Sequence, residues 1–171
     1  MRKTNFNLNL ISMFSIREGK IEDLPKILDL IYELAVYEKA PEEVINTVAM
    51  MEEDGFGSHP VFGFFVCEKD SDKSIIGTAI YYYRYSTWKG KRIYLEDLIV
   101  TEKERGHGAG KLLFDQIMKK GLEEKCTGMM WQVLDWNEPA INFYKKYYNA
   151  SIEEDWFNCH LQDFEIKMLL S

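Results

Sequence analysis

Three glycines alternate with other residues in the segment Arg105-Gly106-His107-Gly108-Ala109-Gly110. An apolar run at residues 93–100 precedes this segment, and Leu113 and Ile117 follow it at helical spacing. The pattern therefore predicts a strand, a glycine loop and a helix. Glycines let backbone N–H groups approach a ligand closely, and a helix N-terminus adds unpaired donors and a partial positive charge. This chemistry favours binding of a phosphate group, and the guanidinium of Arg105 suits the same anion.

The spacing of the glycines excludes two common phosphate loops. It is G-x-G-x-G, so the G-x-G-x-x-G fingerprint of dinucleotide binding is absent. No Lys-Ser or Lys-Thr pair closes the loop, as it does in nucleoside-triphosphate loops. The alternative interpretation is a flexible turn that caps an ordinary helix. The strand before the loop and the helix after it favour phosphate binding, and His107 is expected to be an exposed loop residue rather than a catalyst.

The loop and its surroundings resemble the coenzyme A loop of the GNAT acetyltransferases. The resemblance covers roughly Ser15 to the C-terminus, which short motifs alone do not supply. It is to the spermidine/spermine N-acetyltransferase branch, and most of all to the thialysine N-ε-acetyltransferase subgroup. The motifs that carry it are Glu-Asp-Gly-Phe-Gly-Ser-His-Pro (53–60), Tyr-Ser-Thr-Trp-Lys-Gly (85–90), Tyr-Leu-Glu-Asp (94–97), Val-Leu-Asp-Trp-Asn (133–137) and Asp-Trp-Asn-Glu-Pro-Ala-Ile-Asn-Phe-Tyr (135–144).

The order of the predicted elements indicates an α/β (α+β) fold, a mixed sheet with helices on both faces. Strands are expected at 15–18, 61–68, 75–85, 93–100 and 129–134, the last buried on both faces, and a final hairpin is expected from 156–161 and 164–169. Helices are expected at 24–35 with Asp23 as N-cap, at 47–53, at 109–125, and from Asn137 through Tyr144. The resemblance implies the GNAT fold, in which strands 93–100 and 129–134 splay apart and admit the pantetheine arm.

Length and charge limit the organisation and the partners. A chain of 171 residues predicts one domain, 15–171, behind an N-terminal extension, 1–14. The net charge of −7 argues against binding to nucleic acid, and no apolar run approaches the ~20 residues of a membrane helix. Asparagines interrupt the apolar part of the extension, so it does not resemble a signal peptide. Three widely spaced cysteines predict free thiols in a cytoplasmic protein without a metal site. The resemblance suggests a homodimer.

Acetyl transfer to an amine requires an acceptor that has lost its proton, because alkyl ammonium groups have a pKa near ~10. Glu96, beside Asp97 at the end of the predicted strand, is the candidate general base, directly or through a water. The like charge of Asp97 is expected to raise the pKa of one of the pair. The alternative is that the two carboxylates only bind a surface arginine.

The leaving thiolate requires a proton, and Tyr144 is the candidate general acid. Phenols have a pKa near ~10 and thiols near ~8.5, so proton transfer between them is feasible. For an isolated tyrosine at helical spacing, simple packing on an amphipathic helix is the alternative. The surrounding Asn137 and Asn142-Phe143 match the helix of the family, which favours the acid role.

The resemblance also implies which residues bind each substrate. Residues implied for acetyl-CoA, with the strand residues pairing through their backbone, are Leu98, Ile99, Val100, Arg105, Gly106, His107, Gly108, Ala109, Gly110, Asn137, Glu138, Pro139, Ala140 and Tyr144. One strand N–H would polarise the thioester carbonyl. Because carboxylates and ring faces hold a cation, the residues implied for the amine are Tyr37, Glu38, Trp88, Glu96, Met130, Trp131, Gln132 and Glu154.

Two departures from the family pattern narrow the function. Ser86-Thr87 stand where polyamine enzymes carry Asp-Pro, so one carboxylate for a distal ammonium is missing. This favours a shorter amine or a lysine-like amino acid over spermidine or spermine. Tyr147-Tyr148-Asn149 also replaces the usual glycine-bearing turn, with one extra residue. The favoured function is transfer of the acetyl group of acetyl-CoA to a small cationic amine. The alternatives are an acetyltransferase of protein lysines or N-termini and a non-catalytic acyl-CoA-binding module.

Overall fold

The computed structural model describes residues 13–171. Its strands are β1 (Phe14–Glu18), β2 (Gly63–Lys69), β3 (Ile75–Ser86), β4 (Gly90–Val100) and β5 (Met129–Trp131). Its helices are α1 (Leu24–Tyr37), α2 (Val48–Phe56), α3 (Ala109–Glu123), α4 (Glu138–Tyr148) and α5 (Asp163–Leu170). The chain forms two compact units, the first ending at Gln132 and the second spanning Val133–Ser171.

All five strands lie in the first unit and form one mixed sheet in the order β1-β2-β3-β4-β5. The strands β1 to β4 pair antiparallel, and β5 pairs parallel to β4. A parallel pair needs a long crossover connection, and helix α3 supplies it between β4 and β5. The mixed sheet predicted from the sequence is confirmed.

Helices cover both faces of this sheet. On one face, the helices α1 and α2 bury Leu24, Ile27, Leu30 and Met51 against a group of strand residues. These strand residues are Phe64, Val66, Ile80 and Ile99. On the other face, α3 is fully packed at Leu113, Phe114 and Ile117, and the Phe114 ring meets the Trp131 ring edge to face at 5.1 Å between centroids. Burial of apolar area on both faces is the main stabilising term of such a layered unit.

The start of α1 differs from the prediction that Asp23 caps it through its side chain. The Asp23 carboxylate instead accepts hydrogen bonds from Arg17 at 2.7 and 2.9 Å and from the Lys20 backbone N–H at 2.8 Å. Arg17 also donates to Glu68 at 2.7 Å. A buried carboxylate is stabilised most by a paired cation, so the ion pair takes the oxygens that a cap would use. Pro25 does occupy the first turn of α1, as predicted.

Two strand predictions near the C-terminus are wrong. Strand β5 has only three residues, all half-buried, rather than spanning 129–134 with both faces buried. The predicted hairpin at 156–169 is replaced by an irregular segment and helix α5. The helix forms because Gln162 and Glu165 make a capping box and Lys167 pairs with Asp163 at 2.6 Å, four residues earlier. These local contacts outweigh the alternation of apolar residues that suggested strands.

The predicted N-terminal extension lies mostly outside the described residues. Of residues 1–14 only Met13 and Phe14 are described, and Phe14 already belongs to β1 and is buried. Among residues 13–171, every helix is too short or too polar to cross a membrane.

Candidate functional site

The glycine loop connects β4 to α3 through a short 3-10 turn, Glu102–Glu104. Gly106 and Gly108 have φ angles of 81° and 94°, in the left-handed region that favours glycine. A Cβ atom at either position would meet nothing within 4 Å, so backbone conformation rather than space requires glycine there. Gly110, in contrast, lies inside the first turn of α3.

The loop presents a row of backbone donors. Within residues 13–171, the N–H groups of Gly106, His107, Gly108, Ala109 and Gly110 donate to no backbone carbonyl, and the Gly108 carbonyl accepts from Leu112 at 3.1 Å to start α3. An anion with several oxygens, such as a diphosphate, matches donors arranged at a helix N-terminus.

Contacts from α1 hold the start of this loop. The Glu33 carboxylate accepts from the Thr101 hydroxyl at 2.8 and 3.0 Å and from the Glu102 N–H at 2.8 Å. The Arg105 Nε donates to the Val100 carbonyl at 2.8 Å, and its guanidinium lies over the Tyr37 ring at 5.2 Å. Two side chains of α1 therefore fix the segment between β4 and the glycines.

The pairing of β4 with β5 covers only part of β4. It runs from Ile93 with Met129 to Leu95 with Trp131 and stops there. Among the described residues, no strand pairs with the β5-side edge of residues 96–100. This unpaired edge lies where the family resemblance implies that the two strands splay apart.

Alternation along β4 decides which backbone groups face this opening. The Thr101 N–H donates to the Ile76 carbonyl at 2.8 Å, so Ile99, two residues earlier, also directs its N–H and carbonyl to β3. Leu98 and Val100 then direct theirs to the open edge. The Val100 carbonyl is taken by Arg105, which leaves the Val100 N–H and both groups of Leu98 for a ligand.

A β-bulge interrupts β4 at the candidate base. Ile80 pairs with Asp97, but the next residue, Tyr81, pairs with Leu95, so Glu96 is the extra residue. Because of this shift, Asp97 and Tyr94 lie on the same sheet face although they are three positions apart in the sequence. It is the face that α1 covers, since Asp97 pairs with Ile80 of the α1 core.

Two further carboxylates lie within electrostatic reach of Asp97, which is beside the bulge. Burial raises the pKa of Asp97 to about 6, and the negative charges of Glu96 and Glu38 add to the effect. Burial also raises the pKa of Glu96 and of Glu38. A site that gathers carboxylates with raised pKa values suits a base that works near neutral pH or a ligand that carries positive charge.

Two tyrosines line the same sheet face beside the bulge. The rings of Tyr82 and Tyr94 lie 5.0 Å apart between centroids with a 30° tilt. Burial raises the pKa of both phenols, and the charge of Glu96 raises it further. Carboxylates next to aromatic rings form an environment that attracts an ammonium group.

The second unit contains the other predicted elements of the site. Asn137 caps α4, as predicted, because its side chain accepts from the Ala140 N–H at 3.3 Å. Glu138 and Pro139 occupy the first turn. Tyr144 is 7% exposed and its ring meets the Phe143 ring at 5.3 Å. Burial raises the pKa of Tyr144 to about 12, so its phenol keeps its proton at neutral pH.

The remaining predicted amine residues lie in varied places. Trp88 is 87% exposed at the tip of the β3–β4 hairpin. Met130 and Trp131 belong to β5, with Trp131 packed on Phe114, and Gln132 is exposed directly after the strand. Glu154 is exposed in the irregular segment of the second unit.

Sequence reasoning did not assign roles to Glu33, Tyr82 or Tyr94. Glu33 resembles any other helix carboxylate in the sequence, and only the contact of α1 with residues 101–102 shows its role. Asp97 was recognised as a neighbour of Glu96. Its own raised pKa depends on the bulge and on Glu38, which is 59 positions earlier.

Comparisons with known proteins identify the family to which this chain belongs. The model of the acetyltransferase (GNAT) family matches residues 23–149. Thialysine N-epsilon-acetyltransferase of Bos taurus is 38% identical over 136 residues, which are 76% of this chain and 80% of that protein. Spermidine/spermine N(1)-acetyltransferase-like protein 1 of Homo sapiens is 35% identical over an alignment of 177 positions, which covers 99% of this chain but 24% of that protein.

Solved structures share the fold at low sequence identity. An aminoglycoside N-acetyltransferase in complex with CoA superposes with a TM-score of 0.68 at 16% identity. The match covers 86% of this chain and 94% of that one.

Proposed function

The chain is an N-acetyltransferase of the acetyltransferase (GNAT) family, and we propose that it transfers the acetyl group of acetyl-CoA directly to a primary amine of a small cationic substrate. The proposed acceptors are a thialysine- or lysine-like amino acid, a diamine or a polyamine. The observation that carries this proposal is the bulge at Glu96, because the carboxylates of Glu38, Glu96 and Asp97 gather where the β4 edge becomes free.

The co-substrate is proposed to bind through backbone groups of the first unit. The N–H groups of residues 106–110 would hold the diphosphate, and Arg105 would add a charge-assisted contact. The backbone N–H groups of Leu98 and Val100 and the Leu98 carbonyl would pair with the pantetheine amides. The Ile99 N–H and carbonyl already form hydrogen bonds with β3. One N–H at this edge would also polarise the thioester carbonyl. Residues 137–140 are proposed to contribute further contacts with acetyl-CoA.

The acceptor binds as an ammonium at neutral pH and must lose a proton before its nitrogen can attack. We assign Glu96 as the base, with Asp97 beside it to hold the cation and to raise the basicity of the pair. The amine nitrogen then bonds to the acetyl carbon while the C–S bond of the thioester breaks. The ammonium proton passes to the carboxylate pair, and the thiolate receives a proton or a hydrogen bond from Tyr144.

The cationic substrate is proposed to contact carboxylates and ring faces. Glu38 is proposed to contact the cation together with Glu96 and Asp97. Tyr37 precedes Glu38 in the sequence, and its ring lies against the Arg105 guanidinium. The family resemblance suggests five further contacts with the amine, from Trp88, Met130, Trp131, Gln132 and Glu154. The alternative of an acetyltransferase for protein lysines or N-termini finds no observation in its favour.

The family match crosses the boundary between the two units, since it runs from residue 23 to residue 149. This supports the proposal that residues 15–171 act as one acetyltransferase domain behind the extension 1–14. Expression of residues 13–171 alone, which keeps the buried Phe14 of β1, is expected to give full activity.

The second unit exposes many apolar side chains, which supports the proposal of a homodimer. Trp156 is 81% exposed, Phe157 91% and Leu170 83%. Sedimentation is expected to give the mass of two chains, and a purely monomeric species would contradict this.

The three free cysteines and the acidic charge support a cytoplasmic enzyme without nucleic acid or membrane partners, which cell fractionation would check.

Two measurements test the proposed function. A panel of thialysine, lysine, putrescine and spermidine with acetyl-CoA is expected to release free thiol with at least one amine.

In calorimetry, Gly108→Val is expected to weaken acetyl-CoA binding roughly 10- to 100-fold, because a β-branched residue strains the φ of 94° and displaces the amides. Gly90→Val, with a φ of 83° in the β3–β4 hairpin, controls for strain alone. Equal losses in both variants, or no binding by the unaltered protein, would refute the loop assignment.

A further inference from the structure

Two arginines lie directly opposite each other near the hairpin end of the sheet. Arg84 of β3 pairs in register with Arg92 of β4, and like charges at such a position repel each other. Among residues 13–171, no ion pair joins either arginine to a carboxylate. This is unexpected in a chain with 28 acidic against 21 basic residues. The pair therefore concentrates positive charge that the described part of the chain does not neutralise.

Both guanidinium groups lean towards β5. The Arg84 Nη1 lies 3.7 Å from the Met130 sulfur, and the Arg92 Nη2 donates to the Met129 carbonyl at 3.0 Å. The Arg92 Nε is buried, and within the described residues it has no hydrogen-bond partner. A buried charged donor without an acceptor is costly. Arg84 is exposed and Arg92 is half-buried, so an anionic ligand beside their accessible guanidinium nitrogens would offset this charge, although it would not touch the buried Nε itself.

The arginine pair and the carboxylates share one face of the sheet. Arg84 is two residues beyond Tyr82 on β3, and Arg92 is two residues before Tyr94 on β4, so all four side chains lie on the face that carries Asp97. The order along the face is the arginine pair, the tyrosine pair and the carboxylates. The Tyr82 pKa, raised mainly by burial, responds to Glu96 and to Arg84 in opposite directions. The tyrosines thus lie between a negative and a positive end.

The separation of the two ends suits a small molecule. Arg92 and Glu96 are four strand positions apart, which is about 13 Å between Cα atoms at ~3.3 Å per residue. The long arginine side chains and the shorter carboxylates reach into this space and shorten it. A molecule with an amine at one end and a carboxylate at the other, roughly as long as a basic amino acid, fits the remainder.

We propose that Arg84 and Arg92 bind the carboxylate of an amino-acid acceptor whose side-chain amine is acetylated beside Glu96 and Asp97. This inference rests on the proposed acetyl transfer and narrows its substrate class. The planar guanidinium groups match a carboxylate in a bidentate manner. The same pair repels the distal ammonium of a diamine or polyamine, so it selects against those acceptors as well as for amino acids.

The test compares amino acids with their decarboxylated counterparts, ornithine with putrescine and lysine with cadaverine. The unaltered enzyme is expected to favour the amino acid by roughly 10-fold or more in kcat/KM. In the double variant Arg84→Gln/Arg92→Gln this preference is expected to vanish, through a KM for the amino acid raised roughly 30-fold or more. The kcat/KM for the diamine is expected to stay equal or to rise. Arg92→Lys, which keeps the charge but loses the planar fork, is expected to lie between the two.

Controls separate this inference from the underlying function. Lys119→Gln removes an exposed charge from α3 and is expected to leave the preference unchanged. Diamine turnover reports whether a variant is folded. An unchanged preference in the double variant, or a change only in acetyl-CoA affinity, overturns the arginine subsite while acetyl transfer stands. If no amine is acetylated, calorimetry of ornithine against putrescine with CoA still tests the pair, and equal binding of both overturns it.

Discussion

Replacing Tyr144 with phenylalanine is expected to lower kcat roughly 100-fold or more and to leave the Kd for acetyl-CoA within about twofold, since general acids contribute ~10²–10⁴-fold. The substitution removes one hydroxyl from a buried ring and leaves the packing on Phe143 in place. The loss is therefore expected in the chemical step. Stopped-flow release of free thiol would measure kcat, and calorimetry would measure the Kd.

The raised pKa of Tyr144 shapes how this residue acts. At a pKa of about 12 the phenol is fully protonated across the working range. Complete proton transfer to a thiolate, whose conjugate acid has a pKa near ~8.5, is uphill. Tyr144 therefore contributes mainly a hydrogen bond that strengthens as charge develops on sulfur. The pH profile of the unaltered enzyme should accordingly show no decline from tyrosine ionisation below pH ~10.

Tyr147→Phe provides the matched control on the same helix. Tyr147 is 48% exposed and also packs on Phe143, with 5.3 Å between ring centroids. Its loss is expected to change kcat by less than about twofold. Equal kcat values for Tyr144→Phe and the unaltered enzyme would remove the phenol from the mechanism. A fall of kcat in both variants would indicate damage to α4 instead.

Local patterns in the sequence predicted the glycine loop and the start of α4 well. Glycine spacing after an apolar run predicted the loop, and Asn137 before Pro139 predicted the start of α4, because capping and turn preferences act within a few residues. The wrong prediction of a hairpin at α5 arose because two local signals conflicted. The alternation in 156–169 resembled strands, but local capping and an ion pair between neighbouring turns stabilise a helix there.

The functional details depend on pairings that no local pattern encodes. The bulge at Glu96 follows from the register between β3 and β4, and the same register places Arg84 opposite Arg92. Glu38 reaches the electrostatic environment of Asp97 because α1 packs on the sheet, although 59 positions separate the two residues. Composition and spacing could indicate an acidic amine site, but they could not distinguish the buried carboxylate from the exposed one.

Replacing Asp97 with asparagine is expected to stabilise the protein at pH 7.5 and to impair catalysis. The folded-state pKa of Asp97 is about 6, against ~3.9 in an unfolded chain, so the ionised side chain destabilises the fold by up to ~3 kcal/mol. A neutral amide removes that cost. The gain should be complete above pH ~6, shrink as pH falls towards ~4, and vanish below it, where the carboxyl is protonated in both states. Urea unfolding at several pH values would measure this.

Asp23→Asn is the control with the opposite sign. The Arg17 hydrogen bond lowers the pKa of Asp23, so loss of the Asp23 charge removes one of the two carboxylates that the half-buried Arg17 binds and leaves only Glu68. That variant is expected to be destabilised by ~1–3 kcal/mol at pH 7.5. A common sign for both variants would contradict the electrostatic origin of the effect.

The catalytic cost of Asp97→Asn follows from the same charge. Because the ionised carboxylate holds the ammonium and raises the basicity of Glu96, kcat/KM for amines is expected to fall roughly 10- to 100-fold at pH 7.5. In the unaltered enzyme, log kcat/KM should rise with slope one below pH ~6, where the carboxyl must ionise to bind the ammonium and take its proton, and should level off above pH ~6. The variant should lose this rising limb. The ionised Asp97 side chain therefore lowers the stability of the protein but raises its activity, which gives this position a carboxylate at the expense of stability.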